Sequence, residues 1–432
     1  MSATARRINM ASDPVLPQRD LLLDPAVVAG RLASRLGASG PLTIASCERL
    51  RTKYRVGDSL RVLHRIRIGD SDYTVAARAF PEGRSERAYT RALSTVVNCA
   101  PLRAIAHDAR LETVFWTFPN DRKLCGLQSL MEIPADRARS FIPAWTRSRV
   151  VAYAPEKCAT AECLDERSNI LAYAKIYRGD EGRRIYGVYE SLRSSLHACE
   201  NTLSLPRAVA YVESQRLLLL EPVAGRRMDD LRGLDLLRGY GRLGAALAML
   251  HGLPVPAGLP PSERLQVRRL QQVAQLIFQA RPDVGREVCE LADELTVRSE
   301  PASETHVCLH GDVHPKNAIL RRGDCLTLID LDQAAAGPAA VDLGSLLASL
   351  AYNHLGGLLS QRDAHALGDA FLAGYASVSD LPEESAIRWH TSAALLAERA
   401  LRAVNRVRPE GLARLPQLLA GAGRILQSGG VG

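Results

Sequence analysis

The sequence has little lysine and lacks long apolar runs, paired cysteines and blocks of like charge. Nowhere do 18 uncharged apolar residues follow one another, so no membrane-spanning helix is predicted. The first 25 residues contain no apolar run with a cleavage pattern of the kind that secretory leaders have. None of the nine cysteines belongs to a C-x-x-C pair, so neither a zinc site nor a thioredoxin-like motif is indicated. We expect a cytoplasmic protein with reduced thiols and no membrane contact.

The charge is positive but dispersed. A net charge of +8 would suit nucleic-acid binding, yet no block of five or six like charges is present, so nucleic acid is not predicted as a partner. Five lysines stand against 50 arginines, which makes each remaining lysine notable. Two of them, Lys175 and Lys316, lie in the motifs below. With 432 residues, 47% of them hydrophobic, the chain is long enough for a large core and two or three domains.

The chain is β-rich first and helical second. Residues 1–41 form a polar leader with a short helix, and 42–146 form a β-rich region that includes the hairpin Val62 to Ile68 and Tyr73 to Phe80. Residues 147–222 contain further strands and a helix predicted from Tyr186 to Leu196, and 223–432 show helical spacing that includes a helix from Ser385 to Val407. This order predicts an α+β arrangement of two lobes, preceded by an additional β-rich N-terminal region.

A short pattern occurs twice. The stretch Ala77–Phe80 resembles Ala174–Tyr177, and a tyrosine, Tyr54 or Tyr153, precedes each by a similar distance. An internal duplication explains this pattern, as do two unrelated hairpins, because short β patterns recur by chance.

The clearest chemical motif runs from His310 to Asn317, with Asp312 and Asn317 five positions apart in a loop between apolar segments. Protein kinases use H-R-D-x-x-x-x-N here, with the aspartate as base and the asparagine as magnesium ligand. The apolar run 326–329 then delivers Asp330, and Mg²⁺ prefers such oxygen ligands. We predict Asp312 as catalytic base and Asn317 and Asp330 as metal ligands. Asp332, on the same face if the strand continues, is the alternative to Asp330.

These residues, together with Asp342-Leu343 and Leu250-His251, resemble the aminoglycoside phosphotransferase and choline kinase superfamily over residues 147 to 425. The resemblance implies a two-lobed protein-kinase-like fold that uses ATP and Mg²⁺. It assigns Lys175 to the phosphates, with Glu190 as its partner and Glu200 in reserve. Backbone groups of the connector from Glu221 to Val223 would bind adenine.

Two departures from the family are visible. No G-x-G-x-x-G precedes Lys175, so the turn that covers the phosphates is expected at Ala154 to Cys158. Lys316 replaces a frequent glycine and either reaches the transferred phosphoryl group or is solvated. His310 and His314 are predicted to support the loop, because Asp312 already supplies the base. Asp342 is predicted as a helix N-cap that also bonds the loop.

The resemblance implies an enzyme that moves the γ-phosphoryl group of ATP to a hydroxyl of a small molecule, with a sugar or related metabolite favoured. Region 42–146 resembles in position the N-terminal cap of maltokinase-type sugar kinases. An antibiotic kinase and a pseudokinase-type regulatory protein are the alternatives. The sequence leaves open the preference between ATP and GTP and the oligomeric state. The last helices are basic, with Arg388, Arg399, Arg402, Arg406 and Arg408. This charge favours a neutral or anionic acceptor, unless the arginines line a solvated helix face.

Overall fold

The computed structural model describes residues 9–132, 140–196, 202–263, 265–299, 305–321 and 325–427. Two five-stranded antiparallel sheets come first, and helices with short strand pairs follow, which confirms the predicted α+β class with two lobes and an additional β-rich region. The strands are β1 (Ser46–Arg55), β2 (Ser59–Ile68), β3 (Ser71–Ala79), β4 (Ile105–Asp108), β5 (Thr113–Thr117), β6 (Arg147–Ala154), β7 (Cys158–Leu164), β8 (Ile170–Tyr177), β9 (Leu203–Ser204), β10 (Ala208–Val212), β11 (Leu217–Leu220), β12 (Arg226–Arg227), β13 (Val307–Leu309), β14 (Ala318–Leu320), β15 (Leu326–Leu328) and β16 (Ala335–Gly337).

The helices dominate the second half. In the described part of the chain, none is both long enough and apolar enough to cross a membrane. The α-helices are α1 (Arg19–Leu23), α2 (Pro25–Ala33), α3 (Ser85–Ala92), α4 (Leu127–Glu132), α5 (Glu181–Ser195), α6 (Gly233–Gly252), α7 (Val267–Ala280), α8 (Gly285–Val297), α9 (Ala340–Leu355), α10 (Gln361–Ala376), α11 (Glu384–Ala394), α12 (Leu401–Arg406), α13 (Pro409–Ala413) and α14 (Leu415–Gln427).

The two large sheets have the same topology. The first has the strand order β1-β2-β3-β5-β4, and the second has the order β6-β7-β8-β11-β10. In each, a helix follows the third strand, and a short 3₁₀ turn separates the last two strands in sequence. This shared topology favours an internal duplication over two unrelated hairpins, and we call the two units the first and second repeat.

Backbone details agree between the repeats. In the first, Glu112 is left-handed and its carbonyl accepts a hydrogen bond from Phe80 N at 2.9 Å. In the second, Arg216 is left-handed and accepts from Tyr177 N at 3.1 Å. Each αL residue ends a 3₁₀ turn just before the last strand. Such matching of backbone conformation and hydrogen bonding indicates a common origin.

A buried aspartate motif also occurs in both repeats. Asp13 Oδ2 accepts from Tyr54 OH at 2.6 Å and from Gly57 N at 3.0 Å. Asp121 Oδ2 accepts from Tyr153 OH at 2.7 Å and from Glu156 N at 2.9 Å. The other oxygen of each aspartate caps the two N–H groups two and three residues later in the chain. We propose that each repeat includes this preceding segment, so that the repeats run 13–117 and 121–220.

The first repeat packs on the large lobe. The inner face of its sheet, with Tyr54, Val62 and Val75, shares one core with Ile277 of α7 and Leu419 of α14. The second repeat has its own core on one face, built around Trp145 and Leu219. Fully burying a residue of this size is worth about 1.5–3 kcal/mol. The first repeat is therefore held against the C-terminal helices by apolar burial.

Two predicted helices differ from the structure. The helix expected to begin at Tyr186 begins at Glu181, because small and polar residues there conceal its first turn. The helix expected over Ser385 to Val407 contains a π segment, Leu395–Ala400, that separates α11 from α12. A π segment shifts the facing of all later residues, which the 3.6-residue period cannot indicate.

The fold predicts a loss of stability in mild acid. His64 of β2 is fully buried, and burial, with the charge of Arg49, lowers its pKa to about 3. The ordinary value of about 6.5 applies to the unfolded chain. The contribution of His64 to the free energy of unfolding is therefore fully present above pH 6.5. It falls by about 1.4 kcal/mol per pH unit as the pH drops toward 3. Urea unfolding between pH 7.5 and 4 measures the slope. His64→Gln should make the slope shallower, and an unchanged slope would contradict the assignment.

Candidate active site

The loop between β13 and β14 holds the predicted base. Asp312 is partly exposed, and Asn317 Nδ2 donates to its backbone carbonyl at 3.0 Å and to its Oδ2 at 3.1 Å. Because the amide nitrogen is used in this way, the Asn317 Oδ1 is left for another donor or a metal. The structure brings the predicted base and one predicted metal ligand into direct contact.

Gly311 sets the backbone of this loop. Its φ is +77°, and a Cβ at this position would lie 2.0 Å from the carbonyl oxygen of Gln333. Only glycine combines this conformation with such a close approach. The position of Gly311 between His310 and Asp312 was the only signal in the sequence. The contact that requires glycine there is with Gln333, which lies 22 positions later.

Asp342 supports the loop from below. Its oxygens accept from His310 N at 2.7 Å and Gly311 N at 2.9 Å, and His251 Nε2 lies 3.3 Å away. Burial alone would raise the pKa of Asp342, but its hydrogen bond with His251 and the nearby histidine charge keep this pKa low. The residue lies in the first turn of α9 rather than at its N-cap, which is Ala339. The predicted N-cap role is wrong, whereas the predicted bond to the loop is present.

His310 also serves the loop. Its ring is buried, with Nε2 3.0 Å from the carbonyl oxygen of Ile329 and Nδ1 accepting from Asp312 N at 3.3 Å. His314 Nδ1 accepts from Lys316 N at 3.3 Å, and burial and nearby cations, first Lys316, lower its pKa to about 4. Both rings make the kind of backbone bond expected of supporting residues.

Lys175 joins the small lobe to the large lobe. Its Nζ lies 2.7 Å from Asp330 Oδ1 and 2.7 Å from Asp332 Oδ2. Asp332 is further held by the Tyr177 hydroxyl at 2.8 Å. Burial alone would raise the pKa of Asp330, but the Lys175 ammonium outweighs burial and lowers it. Asp330 is thus ionised at neutral pH.

Asp330 is the more accessible of the two acids. Its side chain is 39% exposed, against 14% for Asp332, so Asp330 has room for a further ligand. The strand ends at Leu328, Asp330 is left-handed with φ +66°, and Leu331–Gln333 form a 3₁₀ turn. The assumption that the two acids share a strand face is therefore wrong. They nevertheless converge, because the turn brings both to Lys175.

Glu190 does not pair with Lys175. It is exposed on α5, whereas the lysine is buried against the two aspartates. Glu200 lies outside the described residues. The side chains of α5 that reach the site are Tyr189, whose hydroxyl lies 3.4 Å from Leu331 N, and Arg184, which donates to the carbonyls of Asp332 and Ala334. Helical spacing alone did not reveal which face of α5 is buried.

The other predicted nucleotide residues lie around this centre. Lys316 Nζ is 3.6 Å from Asp312 Oδ2, with its side chain 45% exposed, so its ammonium stands beside the base. The Glu221 carboxylate accepts from Arg207 N at 2.7 Å. Within the described residues, no backbone hydrogen bond involves the carbonyl of Glu221 or the N–H of Val223. These groups are therefore available to a purine base.

The turn expected to cover the phosphates is held by arginines. Glu156, at its tip, is buried with φ +60°. Its carboxylate is 2.8 Å from Arg122 and 2.8 Å from Arg78, with Arg61 at 3.6 Å. Arg78 and Arg61 belong to the first repeat, and Arg78 corresponds to Lys175, because each lies opposite the second residue of the last strand. Sequence reasoning missed Glu156, although its place in a turn without glycines was a signal.

The site suits ATP and Mg²⁺ by its donors. Asp330 supplies an ionised, accessible carboxylate, Asn317 an amide oxygen, and Lys175 a buried ammonium. Hard divalent cations prefer oxygen donors and keep several waters, so a site with few protein ligands is typical of Mg²⁺. A search of the described residues for three or more clustered histidine, cysteine or acidic side chains found no metal site.

One protein-family model matches part of the chain. Residues 183–386 match the model of the phosphotransferase enzyme family, abbreviated APH. This segment carries the loop from His310 to Asn317, Asp330 and Asp342. The match bears out the predicted superfamily and the predicted phosphotransferase enzyme. No curated protein matches the chain.

Solved structures of similar fold include two aminoglycoside phosphotransferases and one other kinase. The gentamicin complex of APH(2")-IIa is 16% identical, with a TM-score of 0.46, and covers 68% of this chain and 95% of its own. APH(3'')-Id from Streptomyces rimosus is 18% identical, with a TM-score of 0.42, covering 59% and 93%. The amicoumacin kinase hAmiN is 14% identical, with a TM-score of 0.46, covering 69% and 91%.

Glu156→Gln tests the arginine cluster. Removing one partner of a buried ionic network is expected to cost about 3 kcal/mol or more, because charged groups are left unpaired. We expect a lower unfolding temperature and a raised KM for ATP. Glu213→Gln is the control, because it removes an exposed ion pair with Arg183 that is worth less than about 1 kcal/mol. Equal effects of the two changes would contradict the role of Glu156.

Proposed function

We propose that the protein transfers the γ-phosphoryl group of ATP to a hydroxyl of a sugar or related metabolite. The observation that supports this most is the arrangement of Asp312, Asn317, Asp330 and Lys175. Asn317 contacts Asp312 within one loop, and Lys175 contacts Asp330, which lies 155 positions later in the chain. This set has the residue types that positioned phosphoryl transfer requires. We place this activity in the cytoplasm.

The nucleotide half of the site assigns roles to four groups. Lys175 would exchange part of its contact with Asp330 and Asp332 for phosphate oxygens. Asp330 and the Asn317 amide oxygen would hold Mg²⁺, which when bound neutralises developing charge on the phosphates. The connector from Glu221 to Val223 would bind the base through its backbone.

The acceptor half depends on Asp312. Its carboxylate, oriented by Asn317 Nδ2, would accept the proton of the attacking hydroxyl. Lys316, 3.6 Å from that carboxylate, stands where a transferred phosphoryl group would approach. Holding both reactants in line is the main contribution of such sites, because the protein forms no covalent bond itself.

An antibiotic kinase is the second candidate. The similar structures include a gentamicin complex of APH(2")-IIa and an amicoumacin kinase. A polycationic acceptor would need acidic residues beside the base, whereas Lys316 lies 3.6 Å from Asp312 and the charges of Arg399 and Arg402 act on nearby His314. This charge favours a neutral or anionic acceptor. The regulatory alternative is less favoured, because the chain has Lys175, Asp312, Asn317 and Asp330, and a silent kinase usually lacks one of these residue types.

An acceptor panel tests the proposal. We would measure ADP release with ATP and Mg²⁺ against sugars, amino sugars, aminoglycosides and nucleosides. Acceptor-dependent release, lost in Asp312→Ala, is the expected result. Nucleotide binding without turnover on any acceptor would favour a regulatory role instead.

Asp312→Asn isolates the base. The amide keeps the shape but cannot accept the proton, so turnover should fall about 10²- to 10⁴-fold while ADP binding is unchanged. Asp70→Asn, in the exposed turn after β2, is the matched control and should behave as wild type. Normal turnover in Asp312→Asn would sink the assignment of the base.

A further inference from the structure

A cluster of cations lies where the first repeat meets the large lobe. Strand β1 packs against α12. Arg51 and Lys53, two residues apart on β1, point to the same side of the strand. Arg402 and Arg406, four residues apart on α12, share one helix face. We call these four residues the basic cluster.

The basic cluster has no acidic partner. Among the described residues, none of the four side chains has a hydrogen-bond or ion-pair partner. Burial lowers the pKa of Arg406 to about 10, and the charges of Arg51, Arg402 and Arg408 act in the same direction. Burial likewise lowers the pKa of Lys53 to about 8, and the neighbouring charges that add to this effect are all cationic: Arg406, Arg55, Arg61 and Lys157.

Such an arrangement destabilises the empty protein. Like charges at positions i and i+4 of a helix repel each other, and half-buried charges normally have partners. Packing alone therefore does not explain why four cations lie together without a carboxylate partner. A bound anion supplies one, because it would offset both the repulsion and the burial.

The basic cluster adjoins the phosphate-covering turn. Lys53 lies directly opposite Arg61 in the β1–β2 pair, so their side chains are on the same side of the sheet. Arg61 Nη1 donates to the Pro155 carbonyl of that turn at 3.0 Å, and its charge reaches Glu156. Arg51 is near enough to the Cys158 thiol for the two to interact electrostatically.

The basic cluster also adjoins the catalytic loop. The charge of Arg402 acts on His314, which lies two residues from Asp312. Lys316, beside the Asp312 carboxylate, adds a further cation on that side. The basic cluster therefore adjoins the catalytic loop through Arg402 and the turn expected to cover the phosphates through Lys53 and its neighbour Arg61.

We propose that the acceptor carries an anionic group, a phosphate or a carboxylate, and that the basic cluster binds this group while its hydroxyl faces Asp312. This inference rests on the proposed phosphotransferase function. Nucleic acid fits less well, because Arg51, Lys53 and Arg406 are half-buried rather than spread over an open surface.

Matched acceptors test the proposal. A neutral hexose, its 6-phosphate and its uronic acid differ mainly in charge. An anionic member should have a kcat/KM at least about tenfold above the neutral sugar, since charge-assisted hydrogen bonds are the strong ones. A preference for the phosphate or for the uronic acid identifies the anion. Equal use of all three, or preference for the neutral sugar, would overturn the proposal while leaving the kinase intact.

Variants assign the effect to the basic cluster. Arg51→Gln and Arg406→Gln should each raise the KM for the anionic acceptor about tenfold, with kcat and the KM for ATP unchanged. Their unfolding temperature should stay the same or rise, because repulsion is relieved. Arg65→Gln, exposed on β2, is the control. A raised KM for ATP instead would show that the basic cluster serves the nucleotide, and an unchanged acceptor KM would equally refute the proposal.

Direct binding separates this inference from the proposed function. If no acceptor is phosphorylated, calorimetry with hexose 6-phosphate in saturating ADP and Mg²⁺ measures the anion site alone. Binding that Arg51→Gln abolishes would support the basic cluster as an anion site without turnover. Absence of binding, or binding unchanged in the variant, would overturn it.

Discussion

The contact of one ammonium with two carboxylates organises the active site. Lys175 of the small lobe lies between Asp330 and Asp332 of the large lobe, at 2.7 Å from each. The pair fixes the distance between the lobes and keeps Asp330 ionised. Asp330 in turn follows Ile329, whose N–H donates to Asn317 O and whose carbonyl meets His310. The nucleotide residues and the catalytic loop are thereby one connected unit.

The duplicated small lobe gives that unit a second support. Where the second repeat has Lys175, the first has Arg78, whose guanidinium binds Glu156 in the turn from Ala154 to Cys158. This turn lacks glycines, and side chains of the neighbouring repeat hold it in place. The first repeat also carries half of the basic cluster. The first repeat thus contacts both this turn and, through β1, helix α12 of the large lobe.

Local patterns predicted much of this site, and contacts across the chain explain the rest. Asp312, Asn317 and Asp330 lie within 19 positions, so their spacing was readable from the sequence. The pairing of Lys175 was misjudged because its partners lie 155 and 157 positions away, whereas Glu190 is close in sequence but exposed. The duplication was visible at Arg78 and Lys175. The motif of Asp13 and Asp121 was not, because each aspartate precedes its tyrosine by a long and variable segment.

Binding of ATP with and without Mg²⁺ tests the central claim most directly. Calorimetry on the wild type, Lys175→Met and Asp330→Asn would compare the groups that join the lobes. We predict Mg²⁺-dependent ATP binding in the wild type that is greatly weakened in both variants, with Asp330→Asn also losing its dependence on Mg²⁺. ATP binding of equal affinity in all three proteins would contradict the assignment of this ion pair to the nucleotide site.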